Sequence, residues 1–195
     1  MQKLKVIGLT GPKGSGKDTV AKVLEKIVGE RVNQIAFADP IKKEIIQLFN
    51  LKSIWDYDTF KRAELTFEVN SINQKIPGRQ VVREIGMLMR RYDEEQFNNY
   101  VESSILSKPK EIWAITDLRF DNEYVMLKRL GAVIVKVTNN RVKDDDNHIT
   151  ERGFDSSLID FMLPNHGSMD MLVHTCRDFI SHLKESNEAW SNIQI

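Results

Sequence analysis

The 195-residue sequence predicts an α/β domain: a five-stranded parallel sheet with helices on both faces. Three observations predict it. Short runs of branched apolar residues recur, each bounded by a turn signal. Segments with apolar residues three and four apart separate those runs. Their strict alternation is the pattern of parallel strands joined by crossover helices.

LKVIGLT (4–10) is the first buried strand and runs into a glycine loop. Behind the loop, Val20, Val23, Leu24 and Ile27 make the apolar stripe of a helix, with Gly29 as its C-cap. VNQIAFA (32–38) is the second strand, cut off by Pro40, and IKKEIIQLF (41–49) resumes helical spacing. LKSIWDYDTFKRAEL (51–65) mixes aromatics and charges and is assigned no element, TFEVNSINQKIPG (66–78) reads as a loop or small excursion, and 51–78 together read as an insertion that could cover an acceptor site. Gly78 leads into RQVVREIGMLMRRY, a helix, and DEEQFNNYVESSIL is another, with Asp93 as its expected cap. EIWAITD (111–117) is the third strand, FDNEYVMLKRLG a helix closed by Gly131, and AVIVKVT (132–138) the fourth strand. The polar stretch 139–156 reads as a loop or lid, LIDFML (158–163) as the fifth strand and PNHG as a turn. SMDMLVHTCRDFISHL is the last helix, with Leu172, Cys176, Phe179, Ile180 and Leu183 on one side; the tail from Glu185 is expected to fray. No repeat or linker is visible, so one domain over 1–195 is expected, with 51–78 and 139–156 as insertions.

Lys plus Arg and Asp plus Glu both number 28. That balance makes no electrostatic case for a nucleic-acid or membrane partner. The single cysteine, Cys176, excludes an intramolecular disulfide and a cysteine-based zinc site. No apolar run approaches the roughly 20 residues of a membrane span. With no signal peptide in view, a soluble cytoplasmic protein acting on small molecules is expected, homodimerisation being left open.

GPKGSGKDT (11–19) carries the chemistry. Gly11, Gly14 and Gly16 let backbone amides approach an anion closely, beside the positive end of the following helix. Lys17 would reach the β- and γ-phosphates, and Lys13 and Ser15 lie in the same loop. In its place after a strand and before a helix, the loop predicts a P-loop NTPase fold binding ATP. The plain alternative is a glycine-rich turn with a solvated lysine. The motif usually ends Lys-Ser or Lys-Thr, with the hydroxyl on Mg²⁺; here Asp18 follows Lys17 and the hydroxyl comes at Thr19. Asp18 would face outward or hold the metal's water shell.

Asp117 ends a buried strand, where the carboxyl edge of such a sheet meets its ligand. An acid there can hold Mg²⁺ through water or take the acceptor's proton. Arg119 stands at the same rim. The plain alternative is a helix-start carboxylate beside a surface arginine. Arg79, Arg83 and Arg90 are spaced to share one helix face and suit an acceptor phosphate; a solvated face is the alternative, and Arg62 is a weaker candidate. In the lid, Arg141 or Arg152 could swing over the transferring group, while His148 and Glu151 could form a structural pair. Asp144 to Asp146 read as a solvated turn. Asn165, after the last strand, is a candidate contact to the donor base.

Taken in order, GPKGSGKDT, FADPIK (37–42), TDLRFDNE (116–123), NHITERG (147–153) and PNHGS (164–168) resemble the deoxynucleoside monophosphate kinases of tailed phages. The loop alone is common to many kinases, and nucleoside monophosphate kinases also carry Gly-Lys-x-Thr, which lets Thr19 meet the phosphates. The ordered set is far more specific; residues 50–78 match nothing. The resemblance implies transfer of the γ-phosphoryl group of ATP to a deoxynucleoside 5′-monophosphate, with Mg²⁺. It implies that Lys17 and its loop hold the donor, that Asp117 and Arg119 lie between donor and acceptor, that the Arg79 helix faces the acceptor phosphate, and that Asp39 and Lys42 lie near the acceptor. IGLTGPKGSGKDTV is also similar to the start of a dephospho-coenzyme A kinase, with Asp39 after the second strand, but the later Gln- and Arg-rich helix of that family is not found. A non-enzymatic ATP sensor is the third reading; the acid and arginines at the rim argue against it.

Overall fold

The computed structural model describes residues 4–69, 72–142 and 156–193. The chain forms two compact units, Met1–Phe37 with Val101–Ile195, and Ala38–Tyr100.

The first unit is built on β1 (Lys5–Thr10), β2 (Val32–Ile35), β5 (Ile112–Ile115), β6 (Val133–Thr138) and β7 (Phe161–Pro164). They form one five-stranded parallel sheet, as the sequence predicts; its strand order is β2-β5-β1-β6-β7. The glycine-ended β1 is central because its alternate residues are apolar on both faces. Ile7 and Leu9 join Ile112, Ala114, Val135 and Val137 in a core under α1 (Lys17–Val28) and α7 (Met169–Ser186). On the other face Leu127 of α6 (Asp121–Arg129), Leu118 and Ile134 crowd against Gly8, so a side chain there would collide with them. α7 buries Leu172, Cys176, Phe179, Ile180 and Leu183, the stripe the spacing predicts.

Three expectations are corrected in this unit. β2 stops at Ile35 rather than running to residue 38, because the next amides turn to other partners: Phe37 N–H donates to the Asp117 carboxylate at 2.7 Å. The last strand is Phe161–Pro164, preceded by a 3-10 turn at Ser156–Leu158. Asp160 makes that shift. Its N–H donates to the Ile134 carbonyl and its carboxylate accepts the Ile134 N–H, so pairing to β6 begins only there. The tail does not fray at Glu185. α7 continues to Ser186, and a further turn at Glu188–Trp190 buries Trp190 and Ile193 in the core under α1 and α7.

The second unit holds α2 (Asp39–Leu48), α3 (Ile54–Arg62), β3 (Glu64–Val69), β4 (Ile72–Pro77) and α4 (Gly78–Tyr92). The loop or small excursion expected over 66–78 instead belongs to a hairpin, and residues 54–62, assigned no element from the sequence, form a helix. Ser53 caps α3 by accepting the Asp56 N–H, and the Asp56 carboxylate accepts the Lys52 N–H in return. β3 and β4 pair antiparallel from Glu64–Pro77 to Val69–Ile72. Asp93 is the C-cap of α4, not the N-cap of α5 (Gln96–Ser107); its carboxylate accepts the Glu95 N–H in the intervening turn.

Candidate active site at the carboxyl edge of the sheet

The loop from Gly11 to Gly16 joins the end of β1 to the first turn of α1. Its path depends on two glycines. Gly11 has φ 129°, and a Cβ there would strike the Val137 carbonyl of β6; Gly16 has φ 97°, and a Cβ would strike the Asn165 amide. Ser15 N–H closes the turn on the Pro12 carbonyl at 3.1 Å. Lys17 bends back over the loop, its Nζ donating to the carbonyls of Gly11 at 2.8 Å and Pro12 at 2.9 Å. The ammonium is thus already held at the loop, with the N-terminal end of α1 beside it. Lys13, Gly14 and Asp18 are exposed and Thr19 half-buried. Ser15 is buried, and its hydroxyl has no hydrogen-bond partner among the described residues.

Asp117 lies two residues beyond β5, the strand next to β1. It is half-buried, and its Oδ1 accepts the Phe37 N–H. Leu118 N–H then donates to the Leu9 carbonyl, which pins the chain leaving β5 to the end of β1. Arg119 is half-buried and follows directly. Glu123 lies in the TDLRFDNE stretch, where the sequence alone gives it no role. Its carboxylate is 1% exposed and accepts the main-chain N–H groups of Arg119 at 2.9 Å and Phe120 at 3.1 Å. The signal was Phe120 with Glu three residues on, the acidic half of a capping box opening α6.

The end of β7 reaches the same edge. Asn165 N–H donates to the Thr138 carbonyl, and its side-chain amide donates to the Ser15 carbonyl at 2.9 Å. It therefore braces the glycine loop. His166 accepts the Asn140 N–H at 3.1 Å through Nδ1, tying down the turn Asn139–Val142 that follows β6. Arg141 is exposed in that turn. The other expected lid residues, His148, Glu151 and Arg152, lie outside the described residues.

The structure thus brings Gly11 to Thr19, Asp117, Arg119 and Asn165 to one edge of one sheet. Asp39, Lys42, Arg79 and Arg83 belong to the second unit. Asp39 opens α2 and pairs with Lys42 at 2.7 Å, both half-buried. Arg79 and Arg83 are half-buried on α4, while Arg90 of the same helix stacks on Phe97 with its guanidinium 4.5 Å from the ring centre. A cavity of about 300 Å³ lined by Lys128, Val133, Asp160, Phe161 and His182 lies at the opposite edge, beside the starts of β6 and β7. None of residues 11–16 lines it, and sheets of this class bind ligands at their carboxyl ends.

Among the described residues no cluster of three or more His, Cys, Asp or Glu could hold a metal alone. The oxygens of Asp18, Thr19 and Asp117 are the hard donors Mg²⁺ takes, and that ion is commonly bound through one or two carboxylates plus substrate phosphates. The donor set therefore fits Mg²⁺ arriving with a nucleotide. Among the described residues no helix is long and apolar enough to cross a membrane.

The chain is similar to known proteins in three ways. The mimivirus protein named "Putative deoxynucleotide monophosphate kinase", from Acanthamoeba polyphaga mimivirus, is 29% identical over 162 residues, covering 75% of this chain and 80% of its own. The dephospho-CoA kinase from Campylobacter jejuni superposes with a TM-score of 0.50 over 93% of this chain and 98% of its own; at 14% identity that likeness is one of fold. A family model described as deoxynucleotide monophosphate kinase matches residues 56–176, well over half the chain and wholly downstream of the glycine loop. With a kinase fold, a phosphate loop and this match together, the chain belongs to the deoxynucleotide monophosphate kinase family and is a phosphotransferase, for which ATP is the implied phosphate donor.

Proposed function

We propose that the carboxyl edge of the sheet is where ATP, with Mg²⁺, gives its γ-phosphoryl group to a deoxynucleoside 5′-monophosphate. One observation carries this reading: adjacent parallel strands deliver the Lys17 loop and Asp117 to the same sheet edge, with Leu118 N–H bonded to Leu9 O holding the two strand ends together. The loop amides and Lys17 take the donor phosphates, whose oxygens replace one or both carbonyls that Lys17 now grips. Asp18 and Asp117 are the carboxylates that would hold the water shell of Mg²⁺, which would supply charge neutralisation at the phosphates. Thr19 lies one turn into the same site. Asp117 orients the acceptor oxygen, and Arg119 offsets charge on the transferring group. Arg79 and Arg83 are assigned to the acceptor phosphate, with Asp39 and Lys42 in support, and Arg141, His148, Glu151 and Arg152 to the lid that excludes water. Little covalent work is asked of the protein: positioning and charge balance supply the catalysis.

The test is an ADP-coupled assay with ATP and Mg²⁺, run against dGMP, dTMP and dCMP beside dephospho-coenzyme A. Turnover is expected with at least one deoxynucleotide and not with dephospho-coenzyme A; the opposite pattern overturns the acceptor class. Lys17→Ala should abolish transfer while the protein still melts cooperatively. Near-normal turnover of that variant removes the donor assignment.

A further inference from the structure

The segment from Asp117 to Phe120 is short, irregular and carries both rim residues of the proposed site. Irregular backbone needs outside partners to hold a single path. Three are present. The Asp117 carboxylate takes the Phe37 N–H, Leu118 N–H bonds Leu9 O with its side chain 1% exposed, and the Glu123 carboxylate takes the N–H groups of Arg119 and Phe120. Two of the four residues are thus oriented by one buried acid. An exposed glutamate in the first turn of a helix would serve as an ordinary cap. Glu123 is 1% exposed, so its charge has left water, and both N–H groups and the positive end of α6 help to hold it. Drift of the Arg119 main chain would break bonds to a buried carboxylate, and the cost resists the drift.

We infer that Glu123 is a positioning residue for phosphoryl transfer: its carboxylate, bonded to the main-chain N–H groups of Arg119 and Phe120, fixes the backbone from which Arg119 and Asp117 project. This rests on the proposed roles of those two residues. It adds that the geometry of the transfer step depends on a side chain that touches neither nucleotide. Donor binding does not depend on it, because the Lys17 loop has its own brace in Asn165, bonded to the Ser15 carbonyl.

The experiment compares Glu123→Gln, Glu123→Ala and Asp117→Asn with wild type at a temperature where each is fully folded by circular dichroism. It measures kcat per folded molecule and, separately, Kd for a non-hydrolysable ATP analogue. Glutamine keeps an acceptor oxygen but not the charge, and kcat is expected to fall about 3–10-fold. Alanine removes the acceptor, and kcat is expected to fall about 10–100-fold, the scale of a small misplacement at a reacting centre. The Kd stays within about threefold in both. A role confined to stability would lower the melting temperature and leave kcat per folded molecule intact. That result overturns the inference, as does a Kd that weakens in step with kcat. If the alanine variant does not fold, the glutamine variant decides alone. Normal turnover of Asp117→Asn would refute the reading of the site itself; a dead Asp117→Asn beside a fully active Glu123→Gln refutes only the role given to Glu123.

Discussion

Asp117→Asn separates charge from scaffold. The substitution keeps the side chain's shape, and its carbonyl oxygen can still accept the Phe37 N–H that Oδ1 now accepts at 2.7 Å. The end of β5 therefore keeps its tie, and only the negative charge is lost. If that charge orders the Mg²⁺ water shell or takes the acceptor's proton, its loss costs about 10²–10⁴ in rate. At 1.36 kcal/mol per tenfold this is about 2.7–5.4 kcal/mol of transition-state stabilisation. Affinity for ATP, set by the loop and Lys17, should change by less than about threefold. Asp117→Ala is the second arm. It also removes the acceptor of an amide on a residue 1% exposed, and an orphaned buried donor costs about 1–3 kcal/mol. For a chain of this length that is a fall of about 2–12 °C in Tm. The asparagine variant should therefore lose rate with little change in Tm, and the alanine variant should lose both. ADP-coupled kinetics, calorimetric ATP binding and thermal melts read the three quantities. An asparagine variant with normal kcat, or one whose ATP affinity falls as far as its rate, refutes the assignment.

Three further outcomes are expected. Arg83→Ala should raise the KM for the deoxynucleotide about tenfold or more, the worth of one charged hydrogen bond, with a smaller effect on kcat; an unchanged KM moves the acceptor contact to Arg79. Trp190→Ala should cost about 3–5 kcal/mol, because a fully buried indole in the core under α1 and α7 is deleted. Trp190→Phe should cost far less, since the indole N–H has no partner among the described residues; equal urea midpoints for wild type and the alanine variant would contradict the docked tail. Cys176 is buried and its thiol is pushed up from 9.0 to about 12 by burial. It should resist an aromatic disulfide reagent at pH 8 until the protein is unfolded in urea. Above pH 9 the unfolded chain releases this proton while the folded chain retains it, so stability falls as pH rises from 9 towards 12. The urea midpoint should fall more steeply over that range in wild type than in Cys176→Ala; parallel slopes would refute it.

The sheet and its loop were legible because a buried parallel strand leaves a dense local signal. LKVIGLT, EIWAITD and AVIVKVT each hold an apolar run next to a turn, and the glycine pattern at 11–16 between a strand and a helix favours a phosphate loop over a plain turn. The second unit was less legible, although its signals exist. Ser53 and Asp56 have cap spacing, and ELTFEV alternates with period two before Asn70 and Ser71. The interleaved Trp55, Tyr57 and Phe60 blurred the helical stripe, and a two-stranded hairpin gives only one short alternation on each side. The buried tail was illegible for another reason. Trp190 and Ile193 are isolated apolar residues among polar ones, and their burial depends on α7 reaching the core first. At the site, the contributors tied to a motif could be named from sequence. The bond from Asn165 to Ser15 spans 150 residues and has no local trace. Glu123 lay in plain view, but its burial could not be read from a chain of letters.

That long bond bears on how the molecule is made. Asn165, which braces the glycine loop through the Ser15 carbonyl, is made 150 residues after its partner. The central strand β1 likewise waits for β5 and β6, both more than 100 residues downstream. Such late, distant pairings make for slow assembly. A nascent chain that stops short of residue 165 carries the whole Gly-Pro-Lys-Gly-Ser-Gly-Lys sequence without the bond that braces it, so the loop takes its final shape only after the far strands have been made.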